Sequence, residues 1–209
     1  MFDLYLITDD QLPDVAGAVR QALRAAPPGR VAVQLRAKQR SSRELLVLAT
    51  ALRELTRACA AALFINDRLD IALLASADGV HLPEQGVPVA RARAFLPAGT
   101  HIGVSCHDAS GLERAANAGA SFATLSPVYA SPGKGPALGS ERFAELASQA
   151  RLPVFALGGV RPEHASTLRA SGAAGLAVIS AVFAAADPAA ALHACVQAWA
   201  DAAPASRNI

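Results

Sequence analysis

The sequence predicts a single-domain (β/α)8 TIM barrel, an α/β fold, on three observations. Eight short apolar runs alternate with longer segments rich in Ala, Leu and Arg from one end of the chain to the other. Alternating strands and helices favour a parallel sheet covered by helices, and eight such strands close a barrel. The 209 residues suit a compact barrel. An open doubly wound sheet is the alternative, but no sheet edge or domain break is visible, so we expect one domain over residues 1–204 and a tail at 205–209.

The elements follow in strict alternation. Strands are predicted at residues 4–8, 31–37, 62–66, 79–82, 101–106, 122–126, 154–158 and 176–180. Helices are predicted at 13–26, 42–60, 68–76, 88–95, 109–118, 140–150, 162–171 and 187–201. Residues 41–44 have the spacing of a capping box, and Asp187 is followed by Pro at the start of the last helix. Gly119 and Gly172 stand just past helical runs, where a left-handed cap is usual.

Composition excludes several classes of protein. The formal net charge of +2 gives no reason to expect a nucleic-acid partner, and the 53% of hydrophobic residues exclude disorder. No apolar run reaches the roughly 18 to 20 residues that cross a bilayer, and the N-terminal residues do not resemble a secretion signal. The cysteines are odd in number and far apart, which fits a reducing compartment: Cys59, Cys106 and Cys195. We expect a soluble cytoplasmic protein without a membrane partner; a homodimer is compatible with the sequence, which does not give the oligomeric state.

The stretch VQLRAKQ at residues 33–39 places Gln34, Arg36 and Lys38 at alternate positions. In a strand these side chains share one face, which we expect to point toward the barrel axis and its C-terminal rim. Two unit cations about 6.6 Å apart repel by roughly 2.5 kcal/mol at an effective dielectric near 20. The pattern therefore indicates a binding site for an anion. The alternative is that Lys38 lies in a loop and points into water.

Other strand ends also carry polar residues. Asn66 and Asp67 follow the third strand, where Asp67 is a natural oxygen ligand for Mg²⁺ or, alternatively, only the cap of the next helix. Glu84 follows the fourth strand, and Ser105 ends the fifth. His81 lies within a strand, where a lone histidine is more often a hydrogen-bonded core residue, and it is left without a role, as is His107.

The loops after strands seven and eight contain the strongest local signal. Gly158 and Gly159 allow a close backbone approach to a ligand, and Ser180 ends the eighth strand before a predicted short helix. In barrels these loops commonly bind phosphate. Lys134, in the Gly- and Pro-rich segment 131–140, adds a cation above the same opening. The sequence thus predicts two anion sites across one barrel mouth, suited to joining two phosphorylated small molecules.

At this level of detail the chain resembles the thiamine phosphate synthase family and the related thiazole tautomerases. The resemblance runs from LYLITDD through QLRAK, INDRLDIAL, ADGVHL, IGVSCHD, LSPVYASPGKG and ALGGV to AVISA, so it covers nearly the whole chain. It implies a TIM barrel and a transferase that joins a hydroxymethylpyrimidine pyrophosphate to a thiazole phosphate. Pyrophosphate would leave first, and the thiazole nitrogen would attack the pyrimidine carbocation. The implied cofactor is Mg²⁺.

The resemblance also implies roles for individual residues. Residues expected to hold the pyrophosphate and pyrimidine are Gln34, Arg36, Lys38, Asn66, Ser105 and Lys134; of these, Arg36, Ser105 and Lys134 are expected to act in catalysis. Residues expected to hold the thiazole phosphate are Ser131, Gly158, Gly159, Val178, Ile179 and Ser180. Asp67 is the expected Mg²⁺ ligand.

Two departures from the family pattern leave alternatives open. Gly86 stands where the family usually has a second Mg²⁺-binding Asp, so Glu84 is the expected substitute, unless the metal keeps an extra water. Pro127 stands where characterised tautomerases have a histidine, and Ser131 and Gly133 replace two usual threonines. The alternatives to a synthase are a thiazole tautomerase, which would not need Mg²⁺, and a non-catalytic binder of thiazole phosphate.

Overall fold

The computed structural model, which describes residues 2–203, is a closed barrel of eight parallel strands. Each strand pairs with its neighbours in chain order, and β8 pairs with β1 to close the ring. The strands are β1 (Leu4–Ile7), β2 (Val31–Leu35), β3 (Ala62–Asn66), β4 (Gly79–Leu82), β5 (His101–Cys106), β6 (Phe122–Leu125), β7 (Val154–Ala156) and β8 (Gly175–Val178). The barrel prediction is therefore confirmed, while the tail predicted at 205–209 lies outside the described residues.

Helices follow the strands and form the outer layer. They are α1 (Val15–Leu23), α2 (Ser42–Ala58), α3 (Leu69–Leu74), α4 (Val89–Phe95), α5 (Ala109–Asn117), α6 (Gly139–Gln149), α7 (Ala165–Ala170), α8 (Ser180–Phe183) and α9 (Pro188–Asp201), with a 3-10 turn at Pro162–His164. Among residues 2–203, every helix is too short or too polar to cross a membrane.

The helix boundaries follow the local signals in the sequence. Ser41 and Glu44 form the predicted capping box at the start of α2. The Asp187 side chain accepts hydrogen bonds from two backbone N–H groups at the start of α9, where Pro188 is the first helical residue. Gly172 adopts a φ of +83° after α7, in the left-handed region that glycine tolerates best.

Strand side chains alternate between two buried layers. In β1, Leu4 and Leu6 point outward to the helices, whereas Tyr5 and Ile7 point into the barrel. The inner layer is small and largely aromatic: Tyr5, Ile7, Ala32, Phe64, Phe122, Phe155 and Ala177. The outer layer contains most of the apolar core.

Three glycines make room for the aromatic rings inside the barrel. Each glycine is the register partner of a phenylalanine on the adjacent strand, and a Cβ atom added to it would lie 2.4 Å from that ring. Such a distance is a severe overlap, so the narrow interior requires the missing side chain. The pairs are Gly79 with Phe64, Gly103 with Phe122, and Gly175 with Phe155.

Strand β2 is shorter than predicted. It ends at Leu35 rather than at residue 37, so Arg36 and Lys38 lie beyond the strand. The chain nevertheless stays next to β1, because the Thr8 hydroxyl accepts a hydrogen bond from Arg36 N at 2.9 Å and donates one to Arg36 O at 3.2 Å. Strands β1, β6, β7 and β8 also end one or two residues before the predicted boundary, and the remaining predicted residues belong to the loops or, for Ser180, to α8.

Gly175→Ala should lower the free energy of unfolding by about 1–3 kcal/mol, the usual cost of overpacking a core. The added methyl group would lie 2.4 Å from the Phe155 ring and 2.5 Å from the carbonyl oxygen of Asp3. Urea denaturation measures this change. Gly135→Ala is the control, because its added Cβ meets nothing within 4 Å. Equal stability of the two variants would contradict the packing described for the barrel interior.

Candidate active site

A cavity of about 280 Å³ opens among the loops that follow the carboxyl ends of the strands; we call it the central cavity. Barrel closure brings residues there from β2 and from the loops after β6, β7 and β8. Most residues predicted for the site line it: Gln34, Arg36, Lys38, Asn66, Glu84, Ser105, Ser131, Lys134, Gly158 and Ile179.

The end of β2 supplies both neutral and cationic groups to the central cavity. Gln34 points into the barrel and is buried, Arg36 is half-buried, and Lys38 is exposed at the rim. Lys38 does reach water, as in the alternative interpretation, but it also lines the cavity. With Lys134 on the opposite loop, the rim has three cations around a neutral floor.

Asp67 lies beside this cavity in a strained backbone conformation, with a φ of +63°. Its N–H donates to the His81 carbonyl oxygen at 2.9 Å, which holds the turn in place. Its carboxylate does not cap α3, because the N-cap residue is Arg68 and no side chain caps that helix. Within residues 2–203, the Asp67 carboxylate has no hydrogen-bond or ion-pair partner, so it is available to a ligand.

Gly86 lies next to the Asp67 carboxylate, in the loop after the neighbouring strand β4. A Cβ atom at this position would lie 3.2 Å from Asp67 Oδ1, so an acidic side chain here would stand beside the Asp67 carboxylate. The same Cβ would lie 2.9 Å from the Pro83 ring, in a turn closed by the Gly86 N–H donating to the Pro83 carbonyl. The tight turn therefore favours glycine, and the site has one carboxylate at this point.

Glu84 lines the central cavity with both carboxylate oxygens engaged. Oε2 accepts from His107 Nδ1 at 2.6 Å, and Oε1 accepts from Arg114 at 2.7 Å. Gly111 makes this placement possible, since a Cβ there would lie 2.5 Å from Oε1. Binding a metal through Glu84 would require Arg114 or His107 to release an oxygen.

A second cavity of about 550 Å³, which we call the outer cavity, lies between the loops after β6, β7 and β8. Gly159 and Ser180 line it, and Ser131 lines both cavities and so marks where they adjoin. Arg161 also lines the outer cavity and supplies a cation that the sequence interpretation did not include. The sequence feature that could have identified Arg161 as a site residue is its position directly after the GGV motif.

Val178 is brought to neither cavity. Its side chain is buried in the outer layer against the helices, while Ala177 points into the barrel. The period of two in β8 requires this arrangement. Any contact of Val178 with a ligand at the mouth would have to come from its backbone.

The two glycines after β7 are required by the neighbouring loop. Gly158 has a φ of +95°, and a Cβ there would lie 2.8 Å from Pro127 Cα; Gly159 has a φ of +61°, and its Cβ would lie 2.6 Å from the Ala130 carbonyl oxygen. Backbone hydrogen bonds join the same segments, including Tyr129 N to Gly158 O at 2.9 Å. The glycines thus fix the loop after β6 against the loop after β7, which brings Ser131 to the wall shared by both cavities.

Two buried polar residues at the floor of the central cavity, His81 and Tyr5, were given no role from sequence, and His81 lines the cavity. His81 contacts Ser105 Oγ through Nε2 at 3.0 Å and Tyr5 Oη through Nδ1 at 3.3 Å. Burial lowers the pKa of His81 to about 3 and raises the pKa of Tyr5 well above its usual value, although the hydrogen bond from Gln34 opposes the latter shift. Both side chains are therefore neutral at physiological pH.

The site is chemically suited to polyanionic ligands. Arg36, Lys38 and Lys134 can neutralise a di- or triphosphate-like group. The outer cavity offers Arg161 and Ser180 to a second anion, and Glu163 also lines it. No group of three or more His, Cys, Asp or Glu side chains that could hold a metal ion occurs within the described part of the chain. A metal here would depend on oxygen atoms of a ligand as well as on protein.

Comparisons with known proteins agree with this geometry. The family model described as "Thiamine monophosphate synthase" matches residues 4–182. A protein of Methanoculleus marisnigri named thiamine-phosphate synthase is 40% identical over 184 residues, which are 87% of each chain. A protein of the same name from Syntrophomonas wolfei is 37% identical over 189 residues, covering 89% of this chain and 90% of the relative.

A solved structure is also similar over almost its full length. The thiamine phosphate pyrophosphorylase from Pyrococcus furiosus superposes with a TM-score of 0.87 at 32% identity, and the match covers 96% of both chains. The family model and these relatives agree in spanning nearly the whole barrel. The chain belongs to the thiamine monophosphate synthase family.

Proposed function

We propose that this protein is a thiamine-phosphate synthase, which condenses a hydroxymethylpyrimidine pyrophosphate with a thiazole phosphate and releases pyrophosphate. The observation that carries the proposal is the rim of Arg36, Lys38 and Lys134 around a cavity that adjoins a second cavity lined by Arg161 and Ser180. Family membership supplies the substrates, and the paired cavities provide space for one phosphorylated substrate each.

The pyrophosphate end of the first substrate would meet the cations of the central cavity. Arg36 and Lys134 would act in catalysis with Ser105, while Lys38 would bind the pyrophosphate from the rim. Beneath them, Gln34 and Asn66 present neutral amides to the pyrimidine. Cations bind the pyrophosphate most strongly because it is an anion, whereas the neutral pyrimidine ring is bound and oriented by hydrogen bonds from the amides.

The thiazole phosphate would occupy the outer cavity and reach inward past Ser131. Gly159 and Ser180 would contact its phosphate, assisted by Arg161. Gly158 and Ile179 line the central cavity and would contact the thiazole portion, and Val178 could contribute only its backbone. The shared position of Ser131 would bring the thiazole nitrogen toward the pyrimidine.

The proposed reaction does not need a protein nucleophile. The C–O bond to pyrophosphate breaks, its electron pair leaves with the pyrophosphate, and a pyrimidine carbocation remains. The lone pair of the thiazole nitrogen then forms the new C–N bond. Arg36, Lys38 and Lys134 stabilise the charge that develops on the leaving pyrophosphate, and preorganised cations of this kind lower a barrier more effectively than they would in water.

The residues at the mouth fit a Mg²⁺ ion that is shared with the substrate. Among residues 2–203 the Asp67 carboxylate, next to Asn66 in the chain, has no partner. Mg²⁺ commonly binds through one or two carboxylates together with substrate phosphates and waters. When bound, such an ion neutralises charge on a leaving pyrophosphate. Glu84 stays the proposed second ligand only if it is released by Arg114 or His107.

The thiol groups have no part in the proposed reaction. Cys59, Cys106 and Cys195 are free, and the cytoplasmic location proposed for the protein is a compartment in which thiols stay reduced. Burial raises the pKa of the Cys106 and Cys195 thiols to about 12, so neither competes as a nucleophile. A tautomerase would not need the cationic rim, which is the feature that favours a synthase.

Incubation with both substrates should release pyrophosphate and form thiamine phosphate, and EDTA should abolish the release. The reason is that the Asp67 carboxylate would hold Mg²⁺, and that ion would add to Arg36, Lys38 and Lys134 in neutralising the charge on the leaving pyrophosphate. A coupled pyrophosphate assay measures the rate, and added excess Mg²⁺ should restore it. Release that persists unchanged in EDTA, or no release at all, would refute the proposed function; turnover of the thiazole phosphate alone would instead identify a tautomerase.

Lys38→Ala should raise the KM for the pyrimidine pyrophosphate by about tenfold or more, since a charge-assisted hydrogen bond contributes about 1.5–3 kcal/mol. The KM for the thiazole phosphate should change by less than about twofold, because substitutions at separate sites act almost independently. Steady-state kinetics with each substrate varied in turn measures both values. Arg43→Ala is the control, because Arg43 is an exposed cation on α2 that lines neither cavity. An equal increase for both substrates would show that Lys38 does not belong to the pyrophosphate site.

A further inference from the structure

A continuous set of buried hydrogen bonds crosses the barrel axis at the floor of the central cavity, which Gln34, His81 and Ser105 line; we call it the axial network. It joins Gln34 on β2 to Tyr5 on β1, Tyr5 to His81 on β4, and His81 to Ser105 on β5. The successive distances are 3.0 Å from Gln34 Nε2 to Tyr5 Oη, 3.3 Å from Tyr5 Oη to His81 Nδ1, and 3.0 Å from His81 Nε2 to Ser105 Oγ. Tyr5, Gln34 and His81 are at most 2% exposed.

The donor and acceptor roles in this network follow from its first member. The amide nitrogen of Gln34 only donates, so Tyr5 Oη accepts that hydrogen and is left with its own hydrogen to donate. His81 Nδ1 is the acceptor nearest to that hydrogen, so we infer that the tyrosine hydroxyl donates to it and that Nδ1 is unprotonated. A neutral imidazole has one N–H, and it is therefore at Nε2.

His81 Nε2–H in turn donates to Ser105 Oγ. Thr124 Oγ1 is a more distant second neighbour at 3.5 Å. The imidazole faces no charged side chain within the network, and burial at the barrel axis keeps it neutral. Because Ser105 accepts from below, its hydroxyl hydrogen is free to point into the central cavity, which Ser105 lines.

We propose that Tyr5 and His81 are positioning residues, which hold the Ser105 hydroxyl as a hydrogen-bond donor toward the substrate in the central cavity. The group opposite Ser105 must then be an acceptor, such as an oxygen of a phosphate ester or a ring nitrogen. If His81 Nε2 were unprotonated, it could accept the Ser105 hydroxyl hydrogen. That hydrogen would then point away from the central cavity, and the substrate would lose this donor. The axial network thus gives the neutral floor a fixed polarity beneath the cationic rim.

The tautomer of His81 tests this inference without any substrate. Two-dimensional ¹⁵N–¹H NMR through long-range couplings, recorded at pH 7 on ligand-free protein, distinguishes a protonated from an unprotonated ring nitrogen. The His81 signals are assigned by their loss in His81→Gln. We expect a neutral ring protonated at Nε2; a ring protonated at Nδ1, or a doubly protonated ring, would overturn the proposal.

Tyr5→Phe removes the donor to Nδ1 and keeps the ring, which packs edge-on against Phe64 and Phe122. We expect the His81 signals to shift toward a mixture of tautomers. The matched control is Tyr129→Phe, which removes the hydroxyl of the other tyrosine, stacked on His164 away from the barrel axis. Unchanged His81 signals in Tyr5→Phe would contradict the proposed network.

A double-mutant cycle tests the link to Ser105 and rests on the proposed function. Tyr5→Phe should lower kcat by about five- to tenfold, as expected for one lost hydrogen bond, yet have little further effect in a Ser105→Ala background, because its influence acts through that hydroxyl. The same fold-loss in both backgrounds would show that Tyr5 only supports packing and would overturn the proposal. If the wild-type protein releases no pyrophosphate, the proposed function fails, whereas the NMR result still decides the axial network.

Discussion

Closure of the strands into a narrow ring is the constraint on which the rest of the structure depends. The interior holds large aromatic rings only because a glycine stands opposite three of them, Gly79, Gly103 and Gly175. These rings fill the interior of the lower part of the barrel. Polar inner residues are left for the upper layer, where the central cavity begins.

The same closure determines the electrostatics of the mouth. Strand β2 and the loops after β6, β7 and β8 are distant along the chain, but they surround two adjoining cavities that share Ser131. Cations stand at the rim, where water lowers the cost of their mutual repulsion until an anion arrives. The floor stays neutral, since burial at the barrel axis disfavours a charged His81 or an ionised Tyr5.

Much of this arrangement could be predicted from local patterns. The eight apolar runs gave the barrel, the capping box gave the start of α2, and the alternation in VQLRAKQ placed Gln34 inside and Leu35 outside. The family motifs added the candidate site residues, most of which line one cavity. The orientation of Val178 could also have been predicted, because side chains alternate along β8 and its position directs the side chain to the helices.

Other features depend on partners far away in sequence. Thr8 holds the residue after β2 beside β1, and Arg114 holds the carboxylate of Glu84. The role inferred for His81 depends on Tyr5, which lies 76 positions earlier. No local pattern signals these contacts. The need for glycine at Gly158 and Gly159 was predictable, but its cause, a close approach of the loop after β6, was not.

The most direct test of the central claim is a crystal structure of the protein with thiamine phosphate, pyrophosphate and Mg²⁺ bound together. We expect pyrophosphate against Arg36 and Lys38 in the central cavity, with the phosphate of thiamine phosphate against Gly159 and Ser180 in the outer cavity. Both ligands should enter the same barrel mouth, with the bond that was formed lying near Ser131. Binding of either phosphate group on the helical shell, or of both in a single cavity, would contradict the account.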